Sequence, residues 1–543
     1  MTNTYTCKCC GRTWELPELR RKRFICPECG YYFRIPARER LRTVCDRGTF
    51  EEWFTDLETK NTLGAEGYDE KLTKAKETTG LNEAVITGKA EMFGSPFAIG
   101  VCDSGFLMGS MGYVVGEKIT RMIERATEEK LPVFVFCCSG GARMQEGLIS
   151  LMQMEKTAAA VARHGDAGLL YCTILTDPTM GGVTASFAML GDVIAAEPGA
   201  EIGFAGKRVI RQTIGEELPD GFQTAEFMEK HGMIDGILER KVMKKVLFFM
   251  IHSHCDRYKT TGAETIKEII SLSGANAPLF KSGTKSKWEK VRIIRSSDFV
   301  PTMTYISKIF DIFIELKGDR KYRDDRSVVG GIALLNGRPV TVITEYRGYD
   351  IKEAVERNFG MPMPEGYRKS YRLMKQAEKF NRPIITFINT PGAYCGVGAE
   401  ERGQGEAIAK NLALMSKLKV PVLAIIVGEA GSGGALALAV GNKVWMFENA
   451  IYSILTPEGY ASILWKDASR AEEAAEKMHI SAEDLIKLRI VDKVIPEQEN
   501  GVKKSIDEIS DYLKSSILDF LEEMDKKTPE EIIGERYARF REM

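Results

Sequence analysis

Histidine is scarce in this chain, with five in 543 residues. None falls in a glycine-rich loop, so general-base chemistry by imidazole is not expected. No G-x-S-x-G elbow is present, which excludes the usual serine-hydrolase turn. No G-x-x-x-x-G-K-[ST] loop supports ATP hydrolysis, and no G-x-G-x-x-G opens a helix in a dinucleotide-binding context. Neither sign of charge dominates: 75 Lys+Arg stand against 76 Asp+Glu, a net charge of −1. That balance argues against a protein whose whole surface coats nucleic acid or an anionic membrane. The opening Met1-Thr2-Asn3-Thr4-Tyr5-Thr6 is polar and does not read as a secretory leader. The longest apolar stretch, Val420 to Val440, is broken by Pro421, Glu429 and a glycine-rich turn at 428–434. It reads as a buried strand, a turn and a buried helix, with no membrane span. The twelve cysteines make no disulfide framework in so long a chain, and Cys102, Cys137, Cys138 and Cys172 lie in apolar runs. A reducing cytoplasm is the expected setting.

Among the features present, the clearest is at the N-terminus. Cys7-x-x-Cys10 is followed by Cys26-x-x-Cys29, a spacing that can set four thiolates around Zn²⁺. Cys9 is a spare thiol that leaves the register open. So short a segment has little core, and the metal is expected to fold it. Residues 1–42 hold ten Lys/Arg, including Arg20-Arg21-Lys22-Arg23, against four Glu. This surplus suits an anionic substrate or nucleic acid. A structural cap or a substrate role is favoured over nucleic acid, because the rest of the chain has no matching basic signal.

The remainder repeats itself. Pro132-Val133-Phe134-Val135-Phe136 runs into Ser139-Gly140-Gly141-Ala142, and Pro383-Ile384-Ile385-Thr386-Phe387 runs into Thr390-Pro391-Gly392-Ala393. Matching Gly140 to Gly392, and Leu170–Leu175 to Val422–Val427, sets an offset of 252. Thr224-Ala225-Glu226 matches Ser481-Ala482-Glu483, and Ile234-Asp235 matches Val491-Asp492, both at 257. Each half alternates apolar strand runs with helical patterns, such as 122–129 and 371–380, which implies parallel strands covered by helices. Gly181-Gly182 and Gly433-Gly434 lead into small-residue helices expected at 185–190 and 435–439.

Glycine pairs at helix starts expose backbone N–H groups with no Cβ in the way. Those donors favour an anion. Two such loops side by side make an oxyanion hole. A duplicated chain therefore offers two holes, which suits a reaction that holds negative charge at two places.

Longer motifs carry a resemblance. The first half resembles the β subunit of the acetyl-CoA carboxylase carboxyltransferase, in Ser104-Gly105-Phe106-Leu107-Met108-Gly109, Ser139-Gly140-Gly141-Ala142-Arg143-Met144 and Leu175-Thr176-Asp177-Pro178-Thr179-Met180-Gly181-Gly182. The four-cysteine ribbon also fits that subunit. The second half resembles the α subunit, in Gly318-Asp319-Arg320, Asn358-Phe359-Gly360-Met361-Pro362, Pro391-Gly392-Ala393-Tyr394, Gly398-Ala399-Glu400-Glu401-Arg402-Gly403-Gln404 and Gly428-Glu429-Ala430-Gly431-Ser432-Gly433-Gly434. Three departures stand out. The two subunits are fused with β first, the usual N-terminal extension of α is absent or shortened around 260–290, and Cys395 replaces a proline.

The resemblance implies an α/β protein with two crotonase-type (ββα spiral) domains in tandem behind a small zinc ribbon. The expected boundaries are a ribbon at 1–36, a β-type domain at 37–258, a linker at 259–290 and an α-type domain at 291–543. The implied reaction moves CO₂ from carboxybiotin on a carrier protein to acetyl-CoA, giving malonyl-CoA for fatty acid biosynthesis. Gly181 and Gly182, helped by Gly140 and Gly141, are assigned to the thioester enolate. Gly433 and Gly434, helped by Gly392 and Ala393, are assigned to biotin. Arg143, Lys207 and Arg208 are candidates for the CoA phosphates, and Cys7, Cys10, Cys26 and Cys29 for structural Zn²⁺. No convincing biotinyl-lysine motif is present; Val242-Met243-Lys244-Lys245 comes nearest. Biotin is therefore expected on a biotin carboxyl carrier protein, and its carboxylation on a biotin carboxylase. Related enzymes join half-sites across a dimer, so a homodimer or larger assembly is expected. Competing readings are a carboxyltransferase for another acyl-CoA such as propionyl-CoA, the transferase part of a biotin-dependent decarboxylase, a crotonase-like hydratase or isomerase, and a zinc-ribbon nucleic-acid binder.

Overall fold

Each unbroken apolar run becomes a central strand. Residues 133–139 are buried throughout, as a parallel strand covered on both faces must be. The computed structural model describes residues 4–207, 210–211, 217–255, 285–296, 298–499 and 502–543. They divide into two units, Met1–Tyr258 and Lys259–Met543.

The first unit opens with the hairpin β1 (Thr4–Thr6) and β2 (Thr13–Glu15). Its main sheet comprises β3 (Glu51–Trp53), β4 (Val85–Met92), β5 (Ser95–Cys102), β6 (Val133–Ser139), β7 (Tyr171–Met180), β8 (Val193–Ala196), β9 (Ile202–Gly203) and β10 (Gly236–Ile237). The order is β10-β8-β7-β6-β5-β4-β3, with β9 beside the far end of β7. β3, β4 and β5 pair antiparallel, and the remaining pairs are parallel.

The second unit has the same plan. Its strands are β11 (Ile312–Glu315), β12 (Val328–Leu335), β13 (Arg338–Glu345), β14 (Ile384–Thr390), β15 (Val422–Gly431), β16 (Lys443–Phe447), β17 (Ile451–Ser453) and β18 (Lys493–Ile495). They run β11-β12-β13-β14-β15-β16-β18, with β17 on the end of β15. The two sheets share even their irregularities. The β6/β7 register shifts at Cys137/Ser139, and the β14/β15 register shifts at Ile388/Thr390. A bulge there bends each strand end toward the following turn.

The repeat register differs by one from the sequence alignment. β6 begins at Val133 and β14 at Ile384, and β7 at Tyr171 and β15 at Val422, so both correspond at 251. The antiparallel hairpins correspond at 243, Val85 to Val328 and Ser95 to Arg338. The difference is taken up after β13, where the second unit carries the extra helix Ile351–Glu356. Apolar runs alone cannot fix a one-residue register, because each is hydrophobic on both faces.

Other expectations shift at their edges. Val420–Val440 does form a strand, β15, and a helix, Ser432–Ala439. In the first unit the corresponding helix covers only Gly181–Thr184, and 187–189 is a separate 3-10 turn. Ser186, at φ −142°, breaks the continuation. The expected linker falls outside the described residues up to 284. Its last residues belong to the second unit, where Ser286 caps the helix Lys287–Arg295 and Glu289 closes the capping box. Val291 and Ile294 of that helix pack against Ile451, Ala475 and Ile480. Among the described residues no helix is long and apolar enough to cross a membrane.

The ribbon is tied to its unit by a buried charge cluster. Glu197 accepts from Arg240 Nε (2.8 Å) and pairs with Arg40 (2.6 Å). Arg240 also donates to the Phe24 and Phe33 carbonyls of the ribbon, at 2.7 and 2.8 Å. Burial works to raise the Glu197 pKa, but the charges of Arg40 and Arg240 outweigh it and bring it down to about 2. A carboxylate with a depressed folded pKa stabilises above its unfolded value and loses that stability as pH falls through the folded one. The ribbon attachment is therefore expected to weaken between about pH 4 and pH 2. Glu197→Gln, followed by acid unfolding, should remove that limb and lower stability at neutral pH.

Candidate active site

The bulged strand ends deliver two equivalent turns, one per unit. In the first, Gly141 has φ +124°; in the second, Gly392 has φ +139°. Both lie in the region that favours glycine. Most amides of these turns are already committed. Gly140 donates to the Met108 carbonyl (2.8 Å), and Gly141 to Ser139 Oγ (2.9 Å). Arg143 donates to the Met111 carbonyl (2.9 Å). In the second unit Pro391 occupies the Gly140 place and has no N–H. Gly392 donates to Thr390 Oγ1 (3.0 Å), and Tyr394 to the Pro362 carbonyl (3.0 Å). Among the described residues this leaves Ala142 and Ala393 as the turn amides without an acceptor. The bridge between Met111 and Ala142 uses the flanking amides, so the Ala142 N–H faces away from it.

The second pair of donors comes from the helix starts. Gly181 (φ +61°) and Ser432 (φ +55°) occupy equivalent left-handed positions that turn the chain from strand to helix. The next residues, Gly182 and Gly433, carry first-turn N–H groups with no intrahelical acceptor. Each helix start abuts its turn. A β-carbon on Gly181 would lie 2.9 Å from Gly141 Cα and 4.0 Å from the Ala142 nitrogen. One on Gly434 would overlap the Ala393 nitrogen, while one on Gly392 would be 3.3 Å from Ser432 Oγ. Each unit thus brings one turn amide and one helix amide together.

Gly140, Gly141 and Gly392 shape the turns, yet their amides are spent or, at Pro391, missing. Ala142 is absent from the sequence assignment, which names its counterpart Ala393; its position one residue after a strained glycine is the signal that marks it. Gly434 corresponds to Val183, not to Gly182. A pocket of about 440 Å³ adjoins the second helix start, lined by Ser432, Gly433, Leu436, Tyr452, Ile454 and Phe540.

Arg143 is not available to a CoA phosphate. It is 1% exposed, and its guanidinium donates to Glu83 at 2.7 and 2.8 Å, to Glu146 at 3.2 Å and to the Ser110 carbonyl at 2.8 Å. Lys207 is half-buried and paired with Glu201 (3.2 Å). Arg208 lies outside the described residues.

The ribbon cysteines converge as their spacing predicts. The sulfurs of Cys7, Cys10, Cys26 and Cys29 all lie within 4.8 Å of one another. Cys7–Cys29 is 3.5 Å and Cys10–Cys26 is 3.7 Å. A tetrahedral site with metal–sulfur bonds of about 2.3 Å has sulfur–sulfur edges of about 3.8 Å, so the donor set fits a metal ion. Cys9 is exposed and outside the cluster, which settles the register. Half of the basic run is spent locally. Arg20 pairs with Glu39, its Nε at 2.9 Å, and Arg23 donates to the Arg240 and Lys241 carbonyls at 3.0 and 2.6 Å.

The family model for acetyl co-enzyme A carboxylase carboxyltransferase-like proteins matches residues 254–543. The acetyl-coenzyme A carboxylase carboxyl transferase subunits beta/alpha of Clostridium tetani are 50% identical over 98% of this chain and 92% of that protein. Those of Natranaerobius thermophilus are 49% identical over 98% and 90%. The chain belongs to the acetyl-CoA carboxylase carboxyltransferase family. Within it, β and α subunits are fused in one polypeptide, β first. Solved structures agree on the fold. A transcarboxylase 12S hexamer superposes with a TM-score of 0.71 at 22% identity, covering 89% of each chain. A single-chain long-chain acyl-CoA carboxylase gives 0.66 at 19% identity, covering 88% of this chain and 45% of that one. Both share their fold with this chain, the crotonase-like one that the resemblance implies.

Proposed function

We propose that this carboxyltransferase moves CO₂ from carboxybiotin, presented on a biotin carboxyl carrier protein, to acetyl-CoA, and so makes malonyl-CoA for fatty acid synthesis. The observation that carries this reading is the repeated amide pair, Ala142 with Gly182 and Ala393 with Gly433. Loss of CO₂ leaves negative charge on the ureido oxygen of biotin. Removal of a methyl proton from the thioester leaves charge on its carbonyl oxygen. Two fixed dipole pairs in low-dielectric surroundings meet those two charges with no reorganisation. The ureido nitrogen can take the methyl proton, so no side-chain base is needed. Ala142 and Gly182 are assigned to the thioester, and Ala393 and Gly433 to biotin. The proposal includes assembly as a homodimer or larger oligomer and a cytoplasmic setting, with carboxylation of biotin on a separate biotin carboxylase.

The test is the reverse reaction. Purified protein with malonyl-CoA and a free biotin derivative should form acetyl-CoA. No product, with CoA binding intact, would remove the assignment. Faster turnover with methylmalonyl-CoA would point to propionyl-CoA as the natural acceptor.

The metal proposed for the ribbon is Zn²⁺, held by Cys7, Cys10, Cys26 and Cys29, where it would supply folding energy and no chemistry. Cys26→Ser should cut metal content, read by elemental analysis, and loosen the ribbon. Unchanged zinc would mean that the ligand set is wrong. Cys9→Ser should leave zinc in place.

A further inference from the structure

The Ala142 amide is oriented by a short backbone ladder. Gly140 donates to the Met108 carbonyl (2.8 Å), Met111 to the Gly141 carbonyl (3.0 Å) and Arg143 to the Met111 carbonyl (2.9 Å). Residues 108–111 thus hold the turn on both sides of Ala142. Among the described residues the second unit keeps one of these three bonds, from Tyr394 to the Pro362 carbonyl (3.0 Å). Pro391 and Pro362 stand at the places of Gly140 and Met111 and have no N–H to give; their fixed φ stiffens that turn instead. The first unit's turn therefore depends on where 108–111 sits. Leu107, Met108 and Gly109 have φ of +45°, +57° and +69°, repeated as +49°, +54° and +77° at Asn358, Phe359 and Gly360. Asparagine tolerates that conformation better than leucine does. Asn358 also closes its own turn, its Nδ2 donating to the Met361 carbonyl (2.9 Å). Leu107 has no such group, and a strained loop persists only where its surroundings fix it.

The ribbon and the residues just after it supply that support. The Ala37 N–H donates to Asp103 Oδ2 (2.7 Å) at the start of the loop, and Arg34 Nη1 donates to Met108 Sδ (3.6 Å). Arg34 Nε donates to Asp177 Oδ2 (2.9 Å) on β7, the strand that leads into Gly181 and Gly182. Asp177 Oδ1 accepts from the Glu201 N–H (3.3 Å), and the Glu201 carbonyl takes the Thr179 N–H (2.8 Å). One guanidinium thus spans the two segments that present the Ala142 and Gly182 amides. Its backbone is anchored next door, where the Phe33 carbonyl accepts from buried Arg240 (2.8 Å). We propose that Arg34 is a positioning residue for the first unit's amide pair, through which the ribbon sets the oxyanion hole on the thioester side. This rests on the assignment of the first unit to the thioester. Donors aimed at a developing oxyanion work only when closely placed, and a shift of about 1 Å can cost 10²-fold.

The experiment uses the full chain with malonyl-CoA and a free biotin derivative. Arg34→Ala should lower kcat roughly tenfold or more. The KM for the biotin derivative, CoA affinity read by calorimetry, and metal content should all stay at their parent values. The deciding variant is Leu107→Asn in the Arg34→Ala background. It gives the first unit the self-closing turn of the second and should restore most of the lost rate, which it would not do if Arg34 served packing alone. Parent kinetics in Arg34→Ala would overturn the inference. So would a loss that follows CoA affinity, the signature of a phosphate-binding arginine, a loss that follows metal content, or one that Leu107→Asn leaves untouched. An active parent with an indifferent Arg34→Ala removes this inference alone, whereas an inactive parent removes the transferase reading and this inference with it.

Discussion

Gly433→Val is expected to slow carboxyl transfer by about 10²–10³-fold, because its side chain keeps the ligand oxygen off an N–H that the variant still carries, with an effect like that of losing one oxyanion-hole donor. Thermal unfolding should not change. A β-carbon at Gly433 meets nothing within 4 Å, so the substitution fits the fold and projects its side chain into open space at the mouth of the pocket. The Gly433 backbone is not in the left-handed region, so valine adds no strain there. Gly434→Val is a different experiment. Its β-carbon would overlap the Ala393 nitrogen and lie 2.9 Å from Gly392 carbonyl carbon, so the turn itself must move. That variant should lose both activity and stability. Comparing the two separates a blocked site from a displaced one. Steady-state rates in the reverse direction and a melting curve suffice. Activity of Gly433→Val within a few-fold of the parent would mean that the ligand oxygen sits elsewhere.

Arg143→Ala is expected to lower stability by about 3–5 kcal/mol, because removing one partner of a buried pair leaves the other charge unpaired. Glu83 and Glu146 would keep their carboxylates, 1% and 4% exposed, with no cation to meet them. Tyr68 and the Ser110 carbonyl would lose a donor as well. Denaturant unfolding reads the effect. If Arg143 instead bound a CoA phosphate, the variant would keep its stability and raise KM for acetyl-CoA. The buried geometry favours the first outcome, and a stable variant with a weakened KM would reverse that conclusion.

Much was legible without coordinates. Cysteine spacing, a property of a few residues close in sequence, determined the cluster of four thiols that could hold a metal ion, because a cluster of this kind is local. Apolar runs that alternate with helical patterns determined two parallel-rich sheets, and the ordered repetition of motifs determined that the chain is doubled. The glycine clusters located the turns to within a residue. Some matters depended on groups distant in sequence meeting in space. The register of 251 was set by strand pairing, because a run that is apolar on both faces accepts a shift of one residue. Which amides remain free depended in part on distant carbonyls: Met108 claims the Gly140 N–H and Pro362 the Tyr394 N–H only in the folded chain, whereas Ser139 and Thr390 claim Gly141 and Gly392 from two residues away. Arg143 illustrates the same limit from the other side. A lone arginine in a glycine loop carries no mark of burial, and only the approach of Glu83, sixty residues earlier, turned a candidate phosphate ligand into part of the core.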